Sequence, residues 1–204
     1  MTKKSMLYLG AGILLIAYAV IACIGDPIWS AFGFREYGFQ IFKRYGFQIF
    51  KIYIQESWGV ALVNLMLILI GLVCIANAFV GNGTYDIVLI IFFALLTLSE
   101  CITFLMNFIN MIKYHQLNTW KAWLSVFLQL FPIMAFGGMA GIMLLKDAFG
   151  GLYFAPAAIQ VVELVLVLFF ANFIPIIGVT AMNLILNALL IGGLFILGKA
   201  FTDN

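Results

Sequence analysis

The sequence predicts an all-α, polytopic transmembrane helical bundle of about six spans, with one basic amphipathic helix at the membrane surface. Three observations predict it. Of the 204 residues, 66% are hydrophobic and 9% charged, where soluble domains run at about 45–50% and about 25%. The mean hydropathy is +1.18. The apolar residues fall into runs of about 20, the length that crosses a bilayer as a helix. Ten Lys+Arg and eight Asp+Glu residues cannot wet the surface of a 22.7 kDa globule. That excludes a soluble enzyme, a nucleic-acid binder and a disordered chain.

The chain reads as one transmembrane domain, residues 1–204. The first span covers 6–24 and is stopped by Asp26-Pro27. Lys3-Lys4 ahead of this run and Cys23 at its end resemble a lipoprotein signal, but we read the segment as a retained helix. The second span, 59–80, follows Ser57-Trp58 and ends at Gly81-Asn82-Gly83-Thr84. The third covers 87–112. The fourth, 122–145, ends at Lys146-Asp147 and Gly150-Gly151, with Gln129 and Pro132 predicting a kink. Residues 152–198 form one apolar stretch too long for a single crossing. Asn172 and Pro175 are its only turn signals and divide it into spans 152–171 and 176–198.

The segment 31–56 is different. Tyr37-Gly38-Phe39-Gln40-Ile41-Phe42-Lys43 recurs at Tyr45-Gly46-Phe47-Gln48-Ile49-Phe50-Lys51. A repeat of eight residues is close to two helical turns, so the copies superpose on one face. Gln40, Lys43, Arg44, Gln48, Lys51 and Gln55 gather in one sector, which is the pattern of a basic helix lying in the interface. Lys43, Arg44 and Lys51 are placed to meet anionic lipid headgroups. The segment serves as an anchor, a partner-docking collar or a pore lining. Its Gly38 and Gly46 weaken any helix there.

Lys and Arg counts set orientation. Arg35, Lys43, Arg44, Lys51, Lys113 and Lys121 lie on one side, with Trp29, Trp58, Trp120 and Trp123; Lys3, Lys4, Lys146 and Lys199 lie on the other. The richer side is taken as cytoplasmic, in a bacterial-type inner membrane with both termini outside. The Asn82-Gly83-Thr84 sequon then faces outside, in a loop too short for a glycan.

Two hairpins look alike. One starts at Trp58-Gly59 and carries Ser99-Glu100-Cys101-Ile102 through Asn107; the other starts at Trp123-Leu124 and carries Val162-Glu163-Leu164-Val165 through Asn172. Both have the same orientation, as in a parallel duplication. With the glycine of Leu69-Ile70-Gly71-Leu72, the linker Lys113-Tyr114-His115 and Val161-Val162-Glu163-Leu164, residues 58–171 resemble the HdeD-type acid-resistance membrane family. The resemblance implies repeated helix hairpins, usually six helices, and a role near acid or envelope stress. It carries over no catalytic residue. The 31–56 insert and an extra last helix depart from the family's pattern.

Glu100 and Glu163 are the sharpest chemical features. A carboxylate at mid-membrane costs about 2.5–3.5 kcal/mol on insertion scales, so it faces protein or water. No transmembrane Lys or Arg is available, so a neutral, hydrogen-bonded carboxyl is the expected state. Asn64, Ser99, Thr103, Gln129, Gln160, Asn183 and Asn187 are candidate partners. The pair acts either as a proton- or cation-responsive device or as polar glue between helices. Asn183 and Asn187, one turn apart near Thr180, form a stripe suited to a helix seam or a water-lined path. Gly137 and Gly141 make a GxxxG close-packing motif. His115 is a loop histidine, solvated or pH-sensing. Cys23, Cys74 and Cys101 read as small buried hydrophobes.

No His cluster, glycine-elbow serine, acidic metal motif or phosphate loop is present. The expectation is therefore a non-enzymatic membrane protein without cofactor or metal. It acts through helix packing and assembly, as a homo-oligomer or a subunit of a membrane complex. The alternative is a small channel or transporter built on Glu100 and Glu163. The expected partners are the bilayer and its anionic lipids, with no nucleic acid.

Overall fold

The computed structural model describes residues 2–32, 58–81, 83–115, 120–171 and 177–202. Among these there are helices and turns but no strands. Helix α1 spans Lys3–Phe32, α2 Trp58–Val80, α3 Asp86–Lys113, α4 Trp120–Leu128 and α5 Leu130–Leu144. A short α6, Lys146–Phe149, and a 3-10 turn, Gly150–Leu152, lead to α7, Ala155–Ala171, and α8, Ile177–Thr202. Five helices are long and apolar enough to cross a membrane: those over Lys3–Cys23, Gly59–Val80, Asp86–Lys113, Ala122–Leu144 and Leu184–Thr202. The chain is an integral membrane protein. Helix α7 is apolar but has only 17 residues, about 25 Å at 1.5 Å per residue.

The helices pack as a ring in chain order: α1 on α2, α2 on α3, α3 on α5, α5 on α7, α7 on α8 and α8 back on α1. The seam between α1 and α2 is the most extensive. It rests on Gly12 and Gly71. A Cβ built on Gly12 falls 2.6 Å from the Gly71 carbonyl oxygen, and one on Gly71 falls 2.8 Å from the Gly12 oxygen. The two backbones touch because neither residue has a side chain. In lipid no hydrophobic effect drives helices together, so such close packing is a main source of association.

One end of the ring is tightly filled. Leu89, Phe93 and Leu96 of α3 meet Phe136 and Met139 of α5 and Leu194 and Leu197 of α8 in a continuous buried core. The Phe93 and Phe136 rings lie 6.3 Å apart. The start of α1 and the end of α8 share this end, since the Tyr8 and Phe201 rings meet edge to face at 6.3 Å. The start of α7 is there too: Tyr153 packs on Phe195 at 5.6 Å.

Several boundaries correct the sequence expectations. Asp26-Pro27 does not stop the first helix, which continues to Phe32. Proline removes one backbone hydrogen bond and crowds a carbonyl, but membrane helices accommodate it where neighbouring groups re-satisfy the backbone. Helix α8 runs past residue 198 to Thr202, whose hydroxyl donates to the Gly198 carbonyl at 3.1 Å. Lys199 in this last turn complements the carbonyl end, so the helix outlasts its apolar run. The fourth span is interrupted where the kink is expected: α4 ends at Leu128 and α5 starts at Leu130, with Gln129 between them still in the right-handed helical region. Of the GxxxG pair, Gly137 packs against Thr97, 3.3 Å from its ideal Cβ, while Gly141 faces open space. The motif is therefore half used. Residues 33–56 of the amphipathic segment and the 172–175 turn lie outside the described residues.

Candidate functional site

Two polar clusters interrupt the apolar interior. The first closes the filled end of the ring. Thr2 caps α1, its Oγ1 accepting the Ser5 N–H at 3.2 Å. Two turns on, the Tyr8 hydroxyl donates to Asp86 Oδ1 at 2.7 Å. Asn77 Nδ2 donates to the same oxygen at 3.1 Å, and Asn77 Oδ1 accepts the Tyr85 N–H at 2.8 Å. Tyr8 and Asn77 are each 1% exposed. Gly83, at φ +66°, makes the turn that sets Asp86 at the head of α3; a Cβ there would collide with the Asp86 carboxylate. The cluster ties α1, α2 and α3 together through one carboxylate, whose charge also suits a helix N-terminus. Sequence reasoning missed it. Tyr8 and Asp86 are 78 positions apart, and each looks like an ordinary interface residue in its own segment.

The second cluster lies at mid-span. Glu100 is 14 residues after Asp86 and 13 before Lys113, and Glu163 is the central residue of α7. Glu100 lines a half-open cavity of about 270 Å³ between four helices, with Tyr18 and Ala22 from α1, Gly59, Val60, Val63 and Asn64 from α2, Thr103 from α3, and Leu186 and Asn187 from α8. Asn64 is 2% exposed, and its Nδ2 is buried with no hydrogen-bond partner among the described residues. The Thr103 hydroxyl donates to the Ser99 carbonyl at 3.0 Å, so its oxygen can still accept. Glu163 feels the charge of Glu100 from α7 and has Gln160 one turn away. Glu163 Oε2 and Gln160 Nε2 are both buried, an acceptor and a donor one turn apart on α7 that meet no other partner among the described residues.

The structure thus brings Glu100, Asn64, Thr103 and Asn187 to one cavity and holds Glu163 and Gln160 within electrostatic reach. It does not bring Gln129 there. Gln129 Oε1 instead accepts from Asn107 Nδ2 at 3.3 Å, bridging the α4–α5 break to α3. Asn183 lies on α8, but its side chain is outside the described residues, as are Lys43, Arg44 and Lys51. His115 ends α3: its backbone is left-handed, φ 52°, and its N–H donates to the Ile112 carbonyl at 3.1 Å. Trp120 and Trp123 are exposed at the start of α4. Among the described residues no group of three or more His, Cys, Asp and Glu could hold a metal.

Such an interior can do three things: hold a proton on either carboxyl, attract a cation, and hydrogen-bond a small polar solute. The chain matches no protein-family model, no curated protein and no solved structure.

Proposed function

We propose that this is a non-enzymatic, six-span membrane protein whose mid-membrane carboxylates, Glu100 and Glu163, make it a cation- or proton-responsive carrier. The observation that carries this reading is the cavity with Glu100 in its wall and Glu163 within electrostatic reach across the ring. Polar glue alone needs paired groups, whereas Asn64 keeps a buried donor without a partner among the described residues. Helix α7 serves as the sixth span. The resemblance to HdeD-type proteins implies a response under acid or envelope stress, and the Lys and Arg distribution favours both termini outside a bacterial-type inner membrane.

Proteoliposomes test it. An imposed cation gradient is expected to drive proton movement, read with an internal pH dye. Glu100→Gln should lower the rate about tenfold or more, and Glu163→Gln should shift its pH response. Among the described residues, Tyr18 is the other titratable group in the cavity wall; Tyr18→Phe, which keeps the ring, should leave the pH response in place. If a flux exists and both glutamine variants retain its pH response, the carboxylate mechanism is wrong.

The assembly reading has support from α3, whose outward Leu98, Ile102, Leu105, Met106 and Ile109 are all exposed. A second copy or a partner subunit could cover that face as lipid does. Glutamine variants that lose only their oligomeric state in detergent would favour this reading.

The basic segment gives a separate prediction. Neutralising Lys43, Arg44 and Lys51 removes up to about 3 kcal/mol of attraction to anionic lipid, at about 1 kcal/mol each. Co-sedimentation of the protein's lipid annulus should then lose its preference for anionic headgroups. An unchanged preference would sink the interfacial role.

A further inference from the structure

We propose that the cavity between α1, α2, α3 and α8 binds a small organic ammonium compound carrying a hydroxyl or carbonyl oxygen, the amino-alcohol class of solute. This deepens the carrier reading, on which it rests, by naming the cation.

Size comes first. About 270 Å³ is several times the roughly 30 Å³ share of one water in the liquid, and it sits just below the range of about 300–1,000 Å³ typical of small-molecule sites. A dehydrated metal ion would leave most of it unfilled. Hard cations also demand six to eight oxygens, whereas Ala22, Val60, Val63 and Leu186 give this wall a large apolar share. An alkylammonium ion matches that mixture, because its charge sits on a nitrogen clothed in carbon.

Charge comes second. Among the described residues, Glu100 is the one carboxylate in the wall, and no Lys or Arg lines it. The site therefore favours a single positive charge. Tyr18 adds an aromatic surface, the side-chain type that ammonium groups engage.

Hydrogen bonding comes third and selects within the class. Asn64 lines the cavity and is 2% exposed, and its Nδ2 is a buried donor without a partner among the described residues. A donor calls for an acceptor, which a bare alkylammonium lacks. A hydroxyl or carbonyl oxygen a few bonds from the nitrogen supplies it. Asn187 and the Thr103 oxygen offer further positions for the same group.

The test uses the full chain in nanodiscs and four probes by titration calorimetry: choline, its neutral carbon isostere 3,3-dimethyl-1-butanol, tetramethylammonium and sodium. Choline is expected to bind about tenfold or more tightly than each of the others, a factor that corresponds to about 1.4 kcal/mol. Glu100→Gln should abolish the preference over the neutral isostere. Asn64→Leu should bring choline down to the level of tetramethylammonium. Val63→Phe and Ala22→Leu, which fill the cavity without touching a polar group, should block both cations. Size-exclusion profiles check that each variant folds, and the two cavity-filling variants back each other up. Equal binding of choline and its isostere overturns the charge assignment. Sodium binding as tight as choline, choline binding that survives both cavity-filling variants, or no saturable binding of any probe overturns the site.

The two readings fail separately. If choline does not bind but Glu100→Gln still removes proton flux, the ammonium assignment falls and the carboxylate carrier stands. If choline binds through Glu100 but no gradient drives flux, the carrier falls and a binding site remains.

Discussion

Replacing Gly71 with alanine is expected to lower the stability of the bundle by about 2–3 kcal/mol, near the top of the range for overpacking a well-fitted interior. The added Cβ would lie 2.5 Å from Ile16 Cγ1 and 2.8 Å from the Gly12 carbonyl oxygen. The Ile16 side chain can turn aside, but the Gly12 oxygen is helix backbone, so α1 itself must move. Because α1 and α2 make the most extensive helix contact in the ring, the displacement is felt along both helices. It also reaches the Tyr8–Asp86 bond at one end of that seam and the Tyr18–Asn64 wall of the cavity at the other. Gly71→Leu should prevent the native ring from forming. Gly141→Ala is the control. That position has nothing within 4 Å of an added Cβ, so its effect should stay within about 0.5 kcal/mol. Reversible unfolding in mixed micelles measures both. If the two alanine variants unfold alike, the close crossing of α1 and α2 is not what holds the seam.

The contrast between these glycines shows what the sequence could reveal. A GxxxG search compares positions on one helix, so it selects Gly137 and Gly141. The tightest backbone contact pairs Gly12 with Gly71 on different helices, and no spacing within one segment encodes that. Helices α2 and α3 were legible to within a residue or so because strong punctuation marks their ends: Trp58 opening α2, two glycines in the turn, and Lys113 closing α3. The end of α1 was not, because a proline in an apolar helix is decided by its surroundings rather than by its own residue type. The same logic divides the site. Glu100 and Glu163 stood out because charge is rare in apolar runs, and the candidate partners Asn64 and Gln160 were recognisable from their place in spans. Which of them would share a cavity was not readable, since that depends on the ring order of the helices. Gln129 illustrates the gap: it has the right chemistry but turns to Asn107, because the chain breaks where it sits.

Removing the Asp86 carboxylate is expected to have a still larger effect on stability than the Gly71 change. Asp86 Oδ1 accepts from both Tyr8 and Asn77, and both donors are 1% exposed. Asp86→Ala would leave two buried donors without an acceptor, at about 1–3 kcal/mol each, and would remove a favourable charge from the head of α3, worth about 0.3–1 kcal/mol. The expected loss is about 3–5 kcal/mol. Tyr8→Phe removes one donor and leaves no buried group orphaned, because Asp86 keeps its bond from Asn77; it should cost only about 1–2 kcal/mol. The two changes must then be non-additive. In the double variant the orphaned hydroxyl is gone, so Tyr8→Phe should recover part of the Asp86→Ala loss. Asp86→Asn, which keeps an acceptor oxygen in place, should fall between the single variants. Unfolding of the four proteins under one detergent condition completes the cycle. Additive losses, or an Asp86→Ala protein no weaker than Tyr8→Phe, would mean that α1, α2 and α3 are held by apolar packing alone. The bond would then be a surface contact rather than the lock on the filled end. If the coupling is found, that end of the ring is the fixed frame against which the cavity half, with an Asn64 donor unpartnered among the described residues, is free to rearrange around a bound cation.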